Sequence, residues 1–150
     1  EKATELGVAH VILCEMSRSI SKFKGDGDLK SKTEKYSQVA EAAAKQSKRL
    51  DVPRITVCQK IEQAIELLNF ESGQRFCCSL SSSAIPIQEI SLQKRGQVLA
   101  VGPEGDFSPE EEQKLCESQF ELVSLGTNVL RSETAAIAAI AMTQARYSED

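Results

Sequence analysis

The feature that most constrains the fold of this chain is an alternation of short apolar runs with amphipathic, helix-like segments. Such runs are typical of buried strands, and each is followed by a polar or helical stretch. The alternation favours an α/β fold with a mostly parallel sheet and helices on both faces, because parallel strands need crossover connections. The predicted strands are Val8–Met16, Ile55–Val57, Arg75–Leu80, Gln97–Val101 and Phe120–Leu125.

Helix start and stop signals divide the segments between these strands. A short first helix closes at Gly7, which suits the left-handed position after a helix end. Residues 17–31 are polar and lack helical periodicity, which predicts a long loop before a helix over Lys32–Leu50. Ser108 and Glu111 form the pattern of a capping box. Two further helices are predicted, over Gln59–Phe70 and from a Ser132 cap to about Tyr147.

Three loops should meet at one edge of the sheet, because ligands of open α/β sheets bind beyond the carboxyl ends of the strands. They follow Leu80, Val101 and Leu125 and carry serines or glycines that let backbone approach a ligand. The middle loop lacks the G-x-G-x-x-G and G-x-x-x-x-G-K-[ST] patterns of phosphate cradles, and acidic residues surround it. Acidic side chains beside glycine turns suit a ligand with hydroxyls, an amine or a positive centre. A plain strand–turn–helix corner would carry the same residues.

An Arg-x-Glu pair follows the third loop at the start of the last predicted helix. Glu133 lies in the first helical turn, where the helix dipole favours a carboxylate, so it also has a purely structural explanation. Arg131 precedes the predicted cap and can point at a substrate. The pair therefore supplies candidate functional residues beside the predicted ligand edge.

Charge and cysteine content limit the classes of function. The formal net charge is −4, yet residues 1–60 carry 12 basic and 8 acidic residues, whereas residues 61–150 carry 6 and 14. The basic excess lies mainly between Arg18 and Arg54, where either a phosphate-facing patch or a solvated lysine-rich face would explain it. The five cysteines form no C-x-x-C pair and there is one histidine, so no zinc site is predicted. The sequence contains no run of about 18 apolar residues, so no membrane span is predicted.

Five blocks of residues, which occur in order along the whole chain, resemble the signature blocks of a known family. That family is the RsmE-type ribosomal RNA methyltransferases of the SPOUT class. The blocks are Glu1 to Val8 (EKATELGV), Ser17-Arg18-Ser19, Glu41 to Arg49 (EAAAKQSKR), Val101 to Pro109 (VGPEGDFSP) and Leu125 to Ala136 (LGTNVLRSETAA).

The resemblance implies a deep C-terminal trefoil knot, an exception to the rule against threaded chains. It also implies an S-adenosyl-L-methionine cofactor and a homodimer that methylates uridine N3 in small-subunit (16S) ribosomal RNA. A cytoplasmic location is implied, or an organellar stroma or matrix in a eukaryote. The family's PUA-like RNA-binding domain and the first strand of the methyltransferase domain would precede Glu1.

Site roles also follow from the resemblance, residue by residue. Arg131 and Glu133 would act near the reacting base, and Arg18, Gln46 and Arg49 would face RNA. The cofactor would lie against Leu80, Ser81, Gly102, Pro103, Glu104, Gly105, Leu125, Gly126, Asn128 and Leu130.

The chain departs from the family pattern at two places. Asp106 stands where members usually have a second glycine, and Thr127-Asn128 stands where they usually have Pro-Arg. Three alternatives stay open: another SPOUT enzyme such as a transfer RNA ribose methyltransferase, a non-catalytic RNA-binding or ribosome-assembly domain, and an unrelated small-molecule α/β enzyme.

Overall fold

A computed structural model of the chain describes residues 1–20, 22–68, 73–93 and 96–147. The order of helices and strands confirms the predicted α/β class, with one additional short strand. The elements are α1 (Lys2–Glu5), β1 (His10–Cys14), α2 (Asp26–Gln46), β2 (Arg54–Cys58), α3 (Ile61–Leu68), β3 (Gln74–Cys78), β4 (Ile85–Pro86), β5 (Gln97–Val101), α4 (Pro109–Glu117), β6 (Phe120–Ser124) and α5 (Ser132–Tyr147).

All strand pairs within the described residues are parallel, but they form two sheets rather than the single sheet expected. β1 pairs with β2, and a second sheet has the order β4-β6-β3-β5. Apolar periodicity reports that a strand is buried, not which strand it pairs with. The sequence pattern therefore located the strands but not their grouping.

The chain divides into two compact units. The first comprises Glu1–Glu15 and Ser21–Ala64, and the second comprises Met16–Ile20 and Ile65–Asp150. In the first unit, α2 packs against both β2 and α1. Small buried residues of α2, Ala40, Ala43 and Ala44, allow this close approach.

The core of the second unit lies between its sheet and α5. Its buried members come from β3 and β6, from the segment that follows β4 and from the last helix, and Val123 and Ala139 are fully buried. Thr143 is buried on α5 and donates its hydroxyl to the carbonyl oxygen of Ala139, so no polar atom of this side chain lacks a partner. The buried cluster consists of Phe76, Cys78, Ile87, Ile90, Val123 and Ala139.

Helix α2 begins six residues earlier and ends four residues earlier than the predicted Lys32–Leu50. At its start, the Asp28 carboxylate accepts a hydrogen bond from the backbone N–H of Lys24. The negative charges of two aspartates in the first turn interact favourably with the positive end of the helix dipole. At its end, Lys48 adopts a left-handed φ of 58°. Glycine is the residue that usually marks this conformation after a helix end. Because a lysine occupies the position, nothing in the sequence indicated that the helix ends there.

Other boundaries agree more closely. The capping box is confirmed, since Ser108 accepts from Glu111 N–H and the Glu111 side chain accepts from Ser108 N–H. Helix α3 begins at Ile61 rather than Gln59, and the predicted residues 69 and 70 lie outside the described ranges. Strand β4 was missed because it has only two residues, one of them a proline.

A pair of glycine substitutions tests the tight start of the β3–β5 pairing. A Cβ at Gly73 would lie 2.2 Å from the carbonyl oxygen of Gly96, which accepts Gln74 N–H at 3.0 Å. Gly73→Ala should therefore lower the free energy of unfolding by about 1–3 kcal/mol. Gly27→Ala, in open space within α2, should raise it by up to about 1 kcal/mol. Urea unfolding measures both, and equal midpoints for the two variants would contradict this account.

Candidate functional site

The ends of β3, β5 and β6 lie level, because Cys78 pairs with both Val101 and Val123. The loops that follow these strands consequently begin side by side, as the sequence predicted. Together with the start of α5 they form a cleft in the second unit. The cleft is lined by Cys78, Ser79, Leu80, Val101, Gly102, Pro103, Glu104, Asp106, Ser124, Leu125, Gly126, Asn128, Val129, Leu130, Ser132 and Ala135.

Most of the predicted cofactor residues line this cleft, but Ser81 and Gly105 do not. Most of the lining residues that were not predicted are next to predicted ones in the sequence. Cys78 and Ser124 line the cleft because the ends of their strands lie level, and this alignment depends on strand pairing, which the sequence pattern does not reveal. Asp106 departs from the family pattern and is also one of the acidic residues beside the glycine turns that were expected to suit a polar or positive ligand. The predicted residues that the cleft brings together are Leu80, Gly102, Pro103, Glu104, Leu125, Gly126, Asn128 and Leu130.

The first loop is held by a buried serine, Ser79, which was not among the predicted site residues. Ser79 donates its hydroxyl to Glu112 at 2.6 Å and accepts Ser81 N–H at 3.0 Å. The Ser81 hydroxyl lies 2.8 Å from that of Ser83. Ser79 thus fixes the backbone beside Leu80, whose side chain is 61% exposed at the cleft.

The second loop is a tight turn packed against its own start. Asp106 has a left-handed φ of 60°, donates its N–H to Pro103 and accepts Phe107 N–H through its carboxylate at 2.8 Å. A Cβ at Gly102 would lie 2.9 Å from that carboxylate and 3.0 Å from Phe107 N. The turn therefore closes around a residue that has no side chain, which accounts for glycine at 102.

Gly105 has a different neighbour from the one expected. A Cβ there would lie 3.1 Å from the Cβ of Arg18, and the Gly105 carbonyl accepts a hydrogen bond from the Arg18 guanidinium. The missing side chain at 105 therefore accommodates Arg18 rather than a ligand in the cleft.

The third loop bends at Gly126, whose φ of 129° suits glycine. Ser124 stabilises the bend, since its hydroxyl accepts Gly126 N–H at 3.3 Å and lies 3.2 Å from the Gly126 carbonyl oxygen. Val129 beyond it is 77% exposed and lines the cleft together with Leu125. The loop thus presents apolar surface and backbone groups to a ligand.

The charged side chains that line the cleft are carboxylates. Glu104 and Asp106 contribute them, and no lysine, arginine or histidine is among the lining residues in the described part of the chain. Burial raises the pKa of the Cys78 thiol to about 12, so this thiol is protonated at neutral pH and cannot serve as a thiolate nucleophile. The cleft therefore suits a neutral or positively charged ligand with polar groups.

Arg131 and Glu133 are exposed and do not line the cleft, although Leu130 and Ser132 beside them do. The Arg131 carbonyl accepts Ala135 N–H at 2.8 Å, which places Arg131 itself at the N-cap of α5. The expectation that Ser132 is the cap is therefore wrong by one residue, because Ser132 already has helical conformation. Both predicted catalytic residues are thus next to lining residues in the chain but outside the lining, a position that we call the rim of the cleft.

The three predicted RNA-facing residues have different environments, and Arg18 is exposed with its guanidinium bonded to carbonyl oxygens of the second loop. Gln46 is the exposed last residue of α2. Arg49 has a side chain only 12% exposed, and its guanidinium donates to the carbonyl oxygens of Thr4 and Val8 and to Asp51. Its geometry is that of a structural anchor in the first unit, so an RNA contact by Arg49 gains no support here.

In the part of the chain that the structure describes, the cysteines and the histidine give no second site. All five cysteines are free. Within the described ranges, no group of three His, Cys, Asp or Glu side chains could hold a metal ion. His10 contacts Thr56 and Arg54 across the β1–β2 pair. No helix in the part of the chain that the structure describes is both long and apolar enough to cross a membrane.

Comparison with known sequences places these features in a family. The family model described as RNA methyltransferase domain matches residues 1–144. The ribosomal RNA small subunit methyltransferase E of Bacillus subtilis is 31% identical over 93% of this chain, and that of Mesomycoplasma hyopneumoniae is 32% identical over 91%. The chain spans 57% and 58% of the lengths of these two relatives.

Solved structures share the fold. A ribosomal RNA small subunit methyltransferase E from Neisseria gonorrhoeae bound to S-adenosyl methionine matches with a TM-score of 0.85 and 29% identity, over 97% of this chain and 58% of that one. A putative methyltransferase from Legionella pneumophila with bound SAM gives 0.86 and 27%, with the same coverage of each chain. Because the family model matches nearly the whole sequence, this chain belongs to the RNA methyltransferase domain family.

Proposed function

We propose that this chain is the catalytic domain of an S-adenosyl-L-methionine-dependent methyltransferase that modifies uridine at N3 in small-subunit ribosomal RNA. The single observation that carries the proposal is the cleft formed where β3, β5 and β6 end level. Support comes from relatives named as small-subunit ribosomal RNA methyltransferases and from a similar structure with S-adenosyl methionine bound.

The residues that line the cleft fit the chemistry of this cofactor. Leu80, Leu125 and Val129 offer apolar surface for an adenine ring. Glu104 and Asp106 supply carboxylates for an amine, for hydroxyls and for the positive charge of a sulfonium. When bound, the cofactor would supply an electrophilic methyl group, and the glycine turns would let backbone groups contact it.

Arg131 and Glu133 are the proposed catalytic residues at the rim. Uracil N3 is a weak nucleophile until it loses its proton. In our proposal Arg131 stabilises negative charge that develops on a uracil oxygen, and Glu133 accepts the proton or orients Arg131. The base would leave its stack to reach them. Alignment of N3 with the methyl group would supply a large part of the rate enhancement.

The wider family features belong to the same proposal. We propose that residues 1–150 form one SPOUT methyltransferase domain with a C-terminal trefoil knot, and that a longer protein adds the first strand and an upstream PUA-like domain. Coverage of 57% and 58% of the two bacterial relatives leaves room for such a region in a protein of similar length. A homodimer in the cytoplasm, or in an organellar stroma or matrix, completes the proposed assembly. Of the residues expected to face RNA, the exposed Gln46 is the one that we propose contacts it, whereas the Arg18 guanidinium is bonded within the protein.

The reaction can be assayed directly. The longer protein should transfer a labelled methyl group from S-adenosyl-L-methionine to small-subunit ribosomal RNA from cells that lack the modification. Nucleoside analysis by mass spectrometry should then detect 3-methyluridine. A 2′-O-methylated nucleoside in transfer RNA would instead support a ribose methyltransferase. RNA binding without any cofactor binding would support a non-catalytic ribosome-assembly domain.

Substitution of Arg131 tests the catalytic assignment. Arg131→Ala should lower kcat by about 10²–10³-fold, the usual cost of removing one donor to a developing negative charge. Cofactor affinity should change by less than about twofold, because the side chain does not line the cleft. Single-turnover methyl transfer measures the first effect, and calorimetry measures the second.

Glu133→Gln removes the negative charge and the basicity of the carboxylate but keeps nearly the same size and shape of side chain. A matched control is Glu121→Gln, which removes an exposed carboxylate of β6 that does not line the cleft. We expect loss of turnover in Glu133→Gln and near-normal turnover in Glu121→Gln. Near-normal turnover in Arg131→Ala, with normal RNA binding, would remove Arg131 from the mechanism.

A further inference from the structure

Arg18 makes contacts that an RNA-binding role does not account for. One guanidinium nitrogen, Nη1, donates to the carbonyl oxygens of Gly105 at 2.8 Å and Phe107 at 3.1 Å. These two carbonyls flank Asp106, which lines the cleft. Arg18 itself does not line the cleft, so any effect it has on a ligand there must pass through the loop.

A buried carboxylate ties the same segment to the loop a second time. Glu111 is only 8% exposed, and its two carboxylate oxygens have different partners. One accepts Ser17 N–H at 2.7 Å, and the other accepts Ser108 N–H at 2.8 Å. The segment Met16–Ile20, the end of the loop and the start of α4 therefore meet at one side chain, all within the second unit.

The loop is also shaped to receive the arginine. The ideal Cβ position at Gly105 is 3.1 Å from Arg18 Cβ and 3.4 Å from its Cδ, so the aliphatic part of Arg18 packs directly on the glycine. A Cβ at 105 would force the arginine to shift by a few tenths of an ångström, which would disturb its bonds to the two carbonyls. Glycine at 105 and arginine at 18 therefore depend on each other across 87 residues of sequence.

We infer that Arg18 is a positioning residue for the methyl-donor site, which holds the loop Gly102–Phe107 in the conformation that contacts the cofactor. This inference rests on the proposed function. The guanidinium fixes the carbonyls on both sides of Asp106, and Glu111 fixes the end of the loop. Loss of the arginine leaves the turn held by its internal hydrogen bonds and by the Glu111 contact at its end, so part of the cofactor's binding energy is spent on ordering it.

The test measures cofactor and RNA affinity separately. S-adenosyl-L-methionine is titrated into the chain by calorimetry, and small-subunit ribosomal RNA is titrated in a gel-shift assay. Arg18→Ala should weaken cofactor binding about tenfold, in line with hydrogen bonds from a charged donor. RNA affinity should change by less than about twofold. Lys30→Ala, which removes one exposed basic residue from the same basic stretch, should change neither cofactor nor RNA affinity by more than about twofold.

Two further variants separate positioning from general damage. Gly105→Ala should weaken cofactor binding as Arg18→Ala does, although it changes no charge. The double variant should lose little more than either single variant, because both remove the same contact. Arg18→Lys should give an intermediate affinity, since one ammonium can still donate to a carbonyl. Unfolding midpoints identify any variant that fails to fold, and Arg18→Lys and Gly105→Ala then decide the question.

The outcomes are distinct. If the unaltered chain and the longer protein bind no S-adenosyl-L-methionine, the proposed function itself fails. If the unaltered protein binds it and folded Arg18→Ala binds equally tightly, the positioning role is wrong. Reduced RNA affinity with unchanged cofactor affinity would also overturn it and would make Arg18 an RNA contact. Reduced cofactor affinity in both single variants, without additivity in the double variant, supports the inference.

Discussion

The parallel register of three strands is the constraint on which the candidate site depends. Cys78, Val101 and Val123 stand level across β5, β3 and β6, so three loops begin side by side. The three loops differ in composition and conformation: the first carries serines, the second forms a tight acidic turn, and the third bends at a glycine. A shift of one residue in either pairing would turn every side chain of the shifted strand to the opposite face of the sheet and displace the loop that follows it by about 3.3 Å. The buried residues that hold this register, Phe76 and Val123 among them, therefore determine the shape of the cleft as well as the stability of the second unit.

Helix α4 provides the second level of organisation. Its first turn carries Glu111 and Glu112, and both side chains are used inside the protein rather than in solvent. Glu111 joins the end of the second loop to Ser17, whereas Glu112 accepts the hydroxyl of Ser79 in the first loop. Carboxylates near a helix N-terminus are favoured by the helix dipole, which offsets part of the cost of desolvating them. These acidic residues, which the sequence alone would place in solvent, thus secure two of the three loops that form the cleft.

The sequence was most informative where one residue type has one structural use. The capping box at Ser108 and the strand Gln97–Val101 were predicted with the boundaries that the structure shows. The sequence was least informative where the tertiary structure imposes a conformation that the residue type does not favour. At Lys48, for example, a left-handed conformation ends α2 without a glycine. Most of the cofactor residues implied by the resemblance do meet in one cleft, but Gly105 faces Arg18 instead. A glycine requirement in a sequence reports a close approach without saying what approaches. The partner, in this case an arginine 87 positions away, is known only from the fold.

The start of α5 explains how one short segment can serve two chemical roles. Leu130 and Ser132 line the cleft, and the exposed Arg131 between them does not. Because the chain enters the helix here, consecutive side chains leave the backbone in different directions, and that of Arg131 stays outside the lining of the cleft. Its backbone is nevertheless held by the first hydrogen bond of the helix, from Ala135 N–H to the Arg131 carbonyl. A cation within the cleft would repel the positive charge of the proposed methyl donor. A cation at the rim avoids that repulsion, so the segment separates the acidic cleft from the basic group proposed to act on the nucleobase.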